Sequence, residues 1–138
     1  MPEVTREVLS DATLRLSANG CSFTFEHPRS GVMHVTVAGE DAGQFGTRTL
    51  DEVRAAIARD GRVELFIDAH DASATASCVT EAWKQFLTRH RADLARVHVL
   101  VGSKFMYLNV AITQHLAGAT NLLRIYTDRE EFERIRQG

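Results

Sequence analysis

The stretch VELFIDAHDASATASCVTEAWKQFLTRH, Val63 to His90, decides how the chain is read. Val63, Leu65, Phe66 and Ile67 form a short apolar run with β-branched and aromatic members, the composition of a strand covered on both faces. The run ends at Asp68, and Ala69 to Ser77 are small or polar, which predicts a turn. From Val79 the apolar residues recur at helical spacing, through Trp83, Phe86 and Leu87 to His90. In open α/β sheets, ligands collect where strand C-termini meet helix N-termini, so this turn is the first candidate working surface.

On the N-terminal side of this unit the pattern is one of alternation. ATLRLS (12–17) sets Leu14 and Leu16 against polar neighbours, and CSFTFEH (21–27) does the same with Phe23 and Phe25. Asn19-Gly20 between them is a hairpin signal, because both residues tolerate φ > 0. Pro28 to Gly31 predicts a second turn before VMHVTVA (32–38), so three strands should form an antiparallel meander. Gly39 to Arg48 reads mainly as loop. Thr49 with Glu52 forms a capping box ahead of the helical stripe Leu50, Val53, Ile57, which stops at Asp60-Gly61.

On the C-terminal side, ARVHVLVG (95–102) and NLLRIYT (121–127) are two more near-continuous apolar strands. Ser103 is placed to cap the helix between them and Gly118 to end it. In that helix Phe105, Leu108, Ile112 and Leu116 predict the core stripe. Met106, Tyr107 and Val110 lie off it, so the helix is apolar nearly all round at its start. Thr127 with Glu130 predicts a capped terminal helix through Phe132 and Ile135. Strands separated by helices imply right-handed parallel crossovers. The predicted fold is α/β: an antiparallel meander followed by β-α-β-α-β-α units in one mixed sheet.

The 138 residues fit a single domain over 1–138, and 44% hydrophobic with 25% charged residues is a globular balance that argues against disorder. A net charge of −2 gives no general drive toward nucleic acid or anionic membrane. Cys21 and Cys78 form no close-spaced pair, which points to free thiols and a cytoplasmic location. The N-terminal residues lack an apolar leader core, and no segment is long and apolar enough to span a bilayer. Glycine-rich nucleotide-binding patterns are absent.

LFIDAHDAS (65–73), RVHVLVGSK (96–104) and LLRIYTDREEFERI (122–135), in this element order, resemble the STAS superfamily and in particular its SpoIIAA-like branch, which is related to CRAL-TRIO lipid-transfer domains. The resemblance spans nearly the whole chain. It implies a STAS-like mixed sheet with helices largely on one face, no chemistry of its own, and a regulatory or binding role. Anti-sigma factor antagonists of that superfamily carry a phosphorylatable Ser in an Asp-Ser-Ser-Gly context. Here Asp71-Ala72-Ser73-Ala74 lies near that position, with Ala72 and Ala74 where the second Ser and the Gly would stand.

The candidate sites follow. Ser73, Thr75 and Ser77 lie around the predicted helix start, either as phospho-acceptors favoured by the helix dipole or as its N-cap. Asp68, His70 and Asp71 with Cys78 are the residues an enzyme would use, and a solvated turn with a small buried thiol is the alternative. As a metal site the cluster offers at most three ligands, and His34, His98 or His115 would have to complete it; no metal or other cofactor is expected. Phe45, Trp83, Phe105, Met106, Tyr107 and Val110 are the candidates for an apolar ligand crevice or an interface, the latter with a protein partner or a second copy as homodimer. The expected function is non-enzymatic: binding a protein partner or a lipid-like small molecule. A small enzyme built on the Asp68 to Cys78 turn is the alternative.

Overall fold

The computed structural model describes residues 3–138. In chain order it contains β1 (Thr5–Ser10), β2 (Thr13–Ala18), β3 (Cys21–Arg29), β4 (Val32–Asp41), α1 (Arg48–Asp60), β5 (Val63–Thr75), α2 (Ser77–Arg89), β6 (Leu94–Val101), α3 (Lys104–Leu116), β7 (Leu123–Tyr126) and α4 (Arg129–Gln137). The seven strands form one sheet whose spatial order equals their sequence order. β1 to β4 are antiparallel and β4 to β7 parallel. Three successive right-handed crossovers that advance in the same direction must place their helices on the same face, which is why α1, α2 and α3 share one side. Among the described residues only α4, which follows the last strand, reaches the other.

The hairpin at Asn19-Gly20 forms with both residues at positive φ (49° and 76°). The meander has four strands rather than three. β1 was invisible to hydropathy because every one of its residues is exposed, so no alternation of burial marks it. β4 also continues past Ala38 to Asp41, through Gly39 at φ +92°, where an added Cβ would collide with the Gly20 carbonyl of the hairpin.

Strand alternation separates two cores. Phe23, Phe25, Met33, Val35, Leu65, Ile67, Val97 and Val99 face the three helices, and Val53, Phe86, Leu87 and Met106 close on them. The opposite face buries Val32, Phe66, Leu100 and Tyr126 under Phe132 of α4.

Three predicted caps are displaced. Thr49 is a buried residue inside α1, whose N-cap is Thr47, and the Thr47 hydroxyl donates to the Asp51 side chain at 2.9 Å instead of accepting a backbone N–H. α4 is capped by Asp128, which accepts from the Glu130 amide at 3.0 Å, in place of Thr127. At α2 the N-cap is Ala76, which has no side-chain acceptor, so none of Ser73, Thr75 or Ser77 caps it. Ser103 does cap α3, accepting from the Met106 amide at 3.2 Å, and Gly118 follows its end at φ +62°.

Candidate functional site

The segment that reads as a polar turn is strand. β5 continues from Asp68 to Thr75, paired with β4, and the ladder shifts register between Thr36 and Ala38 and again between Gly39 and Glu40. Each shift puts an extra residue into β5, so inward and outward positions stop alternating and the sequence loses its strand signature. The bulges also scatter the candidate catalytic side chains. Asp68 turns to the α4 face and is held by Arg129. His70 is exposed and bonds its neighbour Asp71 at 3.0 Å, while exposed Cys78 lies on α2 beside Gly43. These residues form no nucleophile–base pair. No three His, Cys, Asp or Glu residues converge on a metal-sized site among the described residues.

His98 instead belongs to a closed network on the α4 face. Its Nε2–H donates to Glu64 at 2.8 Å and the Tyr126 hydroxyl donates to its Nδ1 at 2.8 Å, which satisfies a neutral imidazole at both nitrogens. The ring stacks on Phe66 at 4.3 Å and 7°. Burial pushes its pKa below the ordinary value, and the Glu64 carboxylate only partly opposes that.

Of the apolar candidates, Trp83, Met106 and Val110 do come together. They line a cavity of about 100 Å³ between the sheet and the α2–α3 pair, whose floor includes Ile67, Ala69 and Val99. Phe45 does not reach it. That side chain is buried in the core, edge-on to Phe23 at 5.2 Å. The cavity is also lined by Asp41 and Thr75, the last residues of β4 and β5, and by Thr80 of α2 and Asn109 of α3. Thr80 and Asn109 bond each other at 3.3 to 3.5 Å across the helix pair. Sequence reasoning missed Asp41, because an acidic residue in a glycine-containing segment looks like any solvated loop position; it is only 3% exposed.

α3 is turned opposite to the prediction. Met106 and Thr113 are its buried residues, while Phe105, Leu108, Ile112 and Leu116 are 55%, 59%, 55% and 62% exposed. The predicted core stripe is a solvent-facing apolar stripe, with Tyr107 exposed beside it. From Leu94 to Thr127 the chain has no Asp or Glu, while Arg96, Lys104 and Arg124 are cationic. Arg96 and Arg124 share a surface depression with Tyr107 and Gln114 of α3. No described helix is long and apolar enough to cross a membrane.

No family model and no curated protein sequence matches the chain. Solved structures do. A DUF3478-family protein with a SpoIIAA-like fold from Shewanella loihica PV-4 superposes with a TM-score of 0.61 at 9% identity, covering 94% of this chain and 98% of that one. An anti-sigma factor antagonist from Mycobacterium paratuberculosis superposes with a TM-score of 0.54 at 17% identity, covering 86% and 95%. With its seven-stranded mixed sheet and its helices in this order, the chain has a SpoIIAA-like fold.

Proposed function

We propose that this is a cytoplasmic, non-enzymatic regulatory domain that works by docking a protein partner on the outer face of α3. The observation that carries the reading is the exposed stripe Phe105, Leu108, Ile112, Leu116, four large apolar side chains aligned along one helix side of a small domain. Such a stripe is costly to leave in water and is the surface an amphipathic partner covers. Lys104 at the start of the stripe and Arg96, which shares a depression with Tyr107, favour a partner whose rim is acidic, while Arg124 is already paired with Glu131. A second copy is the poorer occupant, because pairing two α3 faces about a two-fold axis brings the cations of both copies together. The structural neighbour from Mycobacterium paratuberculosis, an antagonist of an anti-sigma factor, is a precedent for a regulatory role on this fold.

Among the three hydroxyl candidates, Ser77 suits a phosphate switch better than Ser73 or Thr75. It is exposed and is the first residue of α2, whose first-turn amides receive no side-chain cap. A phosphate there gains from the helix dipole. The test compares proteins captured from the native cell extract by the wild-type domain, by Leu108→Asp/Ile112→Asp and by Arg96→Glu. A protein held by wild type and lost from both variants, but kept by a control substitution at Glu7 on β1, supports the reading. Identical capture by all four sinks it.

A further inference from the structure

The cavity beneath α2 and α3 is a separate feature from the outer face of α3, and its chemistry is specific. Its walls are almost wholly apolar, formed by Ile67, Val99, Trp83, Met106 and Val110 among others. Three of its polar groups already have partners: Thr75, Thr80 and Asn109 bond one another at 3.3 to 3.5 Å. Asp41 differs. Its Oδ1 accepts from the Gly43 amide at 3.0 Å, while Oδ2 has no hydrogen-bond partner among the described residues. Unlike His34 Nε2, which is sealed without a partner among the described residues, Oδ2 keeps some accessible surface, so in a residue only 3% exposed it is an acceptor left open in an otherwise apolar wall. Burial accordingly pushes its pKa up. Asp41 also stands at the C-terminal ends of β4 and β5 beside the first turn of α2, the edge of an α/β sheet where ligands collect.

We propose that the cavity binds a small apolar molecule, about one aromatic ring in size, carrying a single hydrogen-bond donor that meets Oδ2 of Asp41. The volume of about 100 Å³ limits the occupant to no more than one ring, since a dry apolar protein cavity of about 150 Å³ takes up benzene. The lone open acceptor sets the donor. An amine and a hydroxyl share this chemistry, and the probes below separate them.

Trp83 is the only tryptophan and lines the cavity, so its fluorescence reports occupancy directly. Titrations of the whole domain with benzylamine, benzyl alcohol and toluene are expected to show at least one donor-bearing probe binding about tenfold or more tighter than toluene. Tighter benzylamine identifies a cationic ligand, and tighter benzyl alcohol a neutral one. In Asp41→Asn the amide oxygen still serves the Gly43 amide, but a donor replaces Oδ2, so a preference for benzylamine is expected to vanish. A hydroxyl can accept from that amide, so a preference for benzyl alcohol is tested in Asp41→Ala, where it is expected to vanish; toluene binding stays in both variants. In the wild type, amide chemical shifts of Gly43 and Thr75 should move with the preferred probe and not with toluene; this arm does not depend on the variant folding. Equal affinity for all three probes, no response of Trp83 to any, a benzylamine preference that survives Asp41→Asn, or a benzyl alcohol preference that survives Asp41→Ala overturns the proposal.

Discussion

Arg129 holds Asp68 through two hydrogen bonds, Nη1 to Oδ2 at 2.9 Å and Nη2 to Oδ1 at 3.3 Å, and so fastens the first turn of α4 to the middle of β5. Oδ1 also accepts from the His70 amide at 3.1 Å, at the point where β5 begins to bulge against β4. A residue that reads as a catalytic candidate is thus an anchor of the helix that covers this face of the sheet. Arg129→Ala leaves a buried carboxylate without its counter-charge. The expected loss is about 1–2 kcal/mol, read from urea unfolding, and Arg129→Lys restores only part of it because an ammonium cannot make the two-pronged contact. No loss in Arg129→Ala would show that α4 is held by Phe132 and the Arg124–Glu131 pair without this contact.

His98 makes stability pH-dependent. Its folded pKa lies below the unfolded reference of 6.5 because burial disfavours the charged ring. His34, edge-on to the other side of Phe66, is lowered for the same first reason. With folded pKa values depressed, the unfolded chain takes up protons first as pH falls, so stability is full above about pH 6.5 and declines below it. The urea midpoint at pH 5.5 should lie below that at pH 7.5, and His98→Gln should flatten the difference. An unchanged slope in that variant would count against His98 as a source.

The two thiols should separate cleanly under alkylation. Cys21 is buried, and burial with the nearby Asp41 carboxylate pushes its thiol up to about 11. Cys78 is exposed on α2. Iodoacetamide at pH 8 is expected to modify Cys78 within minutes and Cys21 only after denaturation, as read by peptide mass spectrometry. Modification of Cys21 at the same rate would contradict the packing of the β2–β3 hairpin.

Two glycines at positive φ should respond differently to alanine. Gly39, at φ +92°, has the Gly20 carbonyl where a Cβ would go, whereas Gly46, at φ +59°, faces open space. Gly46→Ala should cost about 1 kcal/mol from backbone conformation. Gly39→Ala should cost about 2–4 kcal/mol, because the hairpin must move as well. Equal midpoints for the two variants would sink the collision.

The orientation of α3 is open to direct test. Met106→Ala removes a buried wall of the cavity and should destabilise by about 2–3 kcal/mol, below the deepest core sites because space is already present beside it. Leu108→Ala on the outer face should fall within about 0.5 kcal/mol of wild type. The reverse ranking would put the predicted stripe back in the core.

The sequence by itself determined the architecture. Alternation in β2 and β3, the Asn19-Gly20 turn, apolar runs in β5, β6 and β7 and the helical patterns between them specify a meander followed by parallel crossovers, because these signals are local and follow from backbone geometry. Tertiary structure decided which helical face is inside and where the working surfaces lie. α3 is apolar nearly all round, so its own pattern could not say whether Phe105 and Leu108 or Met106 and Thr113 meet the sheet; the position of α2 beside it, joined through Thr80 and Asn109, settles that. The bulges that carry β5 on to Thr75 arise from its pairing with β4, a partner more than twenty residues away in sequence. Asp41, an ordinary acidic loop residue in the sequence, becomes a half-satisfied carboxylate in an apolar wall only when β4, β5 and α2 close around it. Burial and pairing belong to the assembled chain, and the chemistry of this protein rests on them.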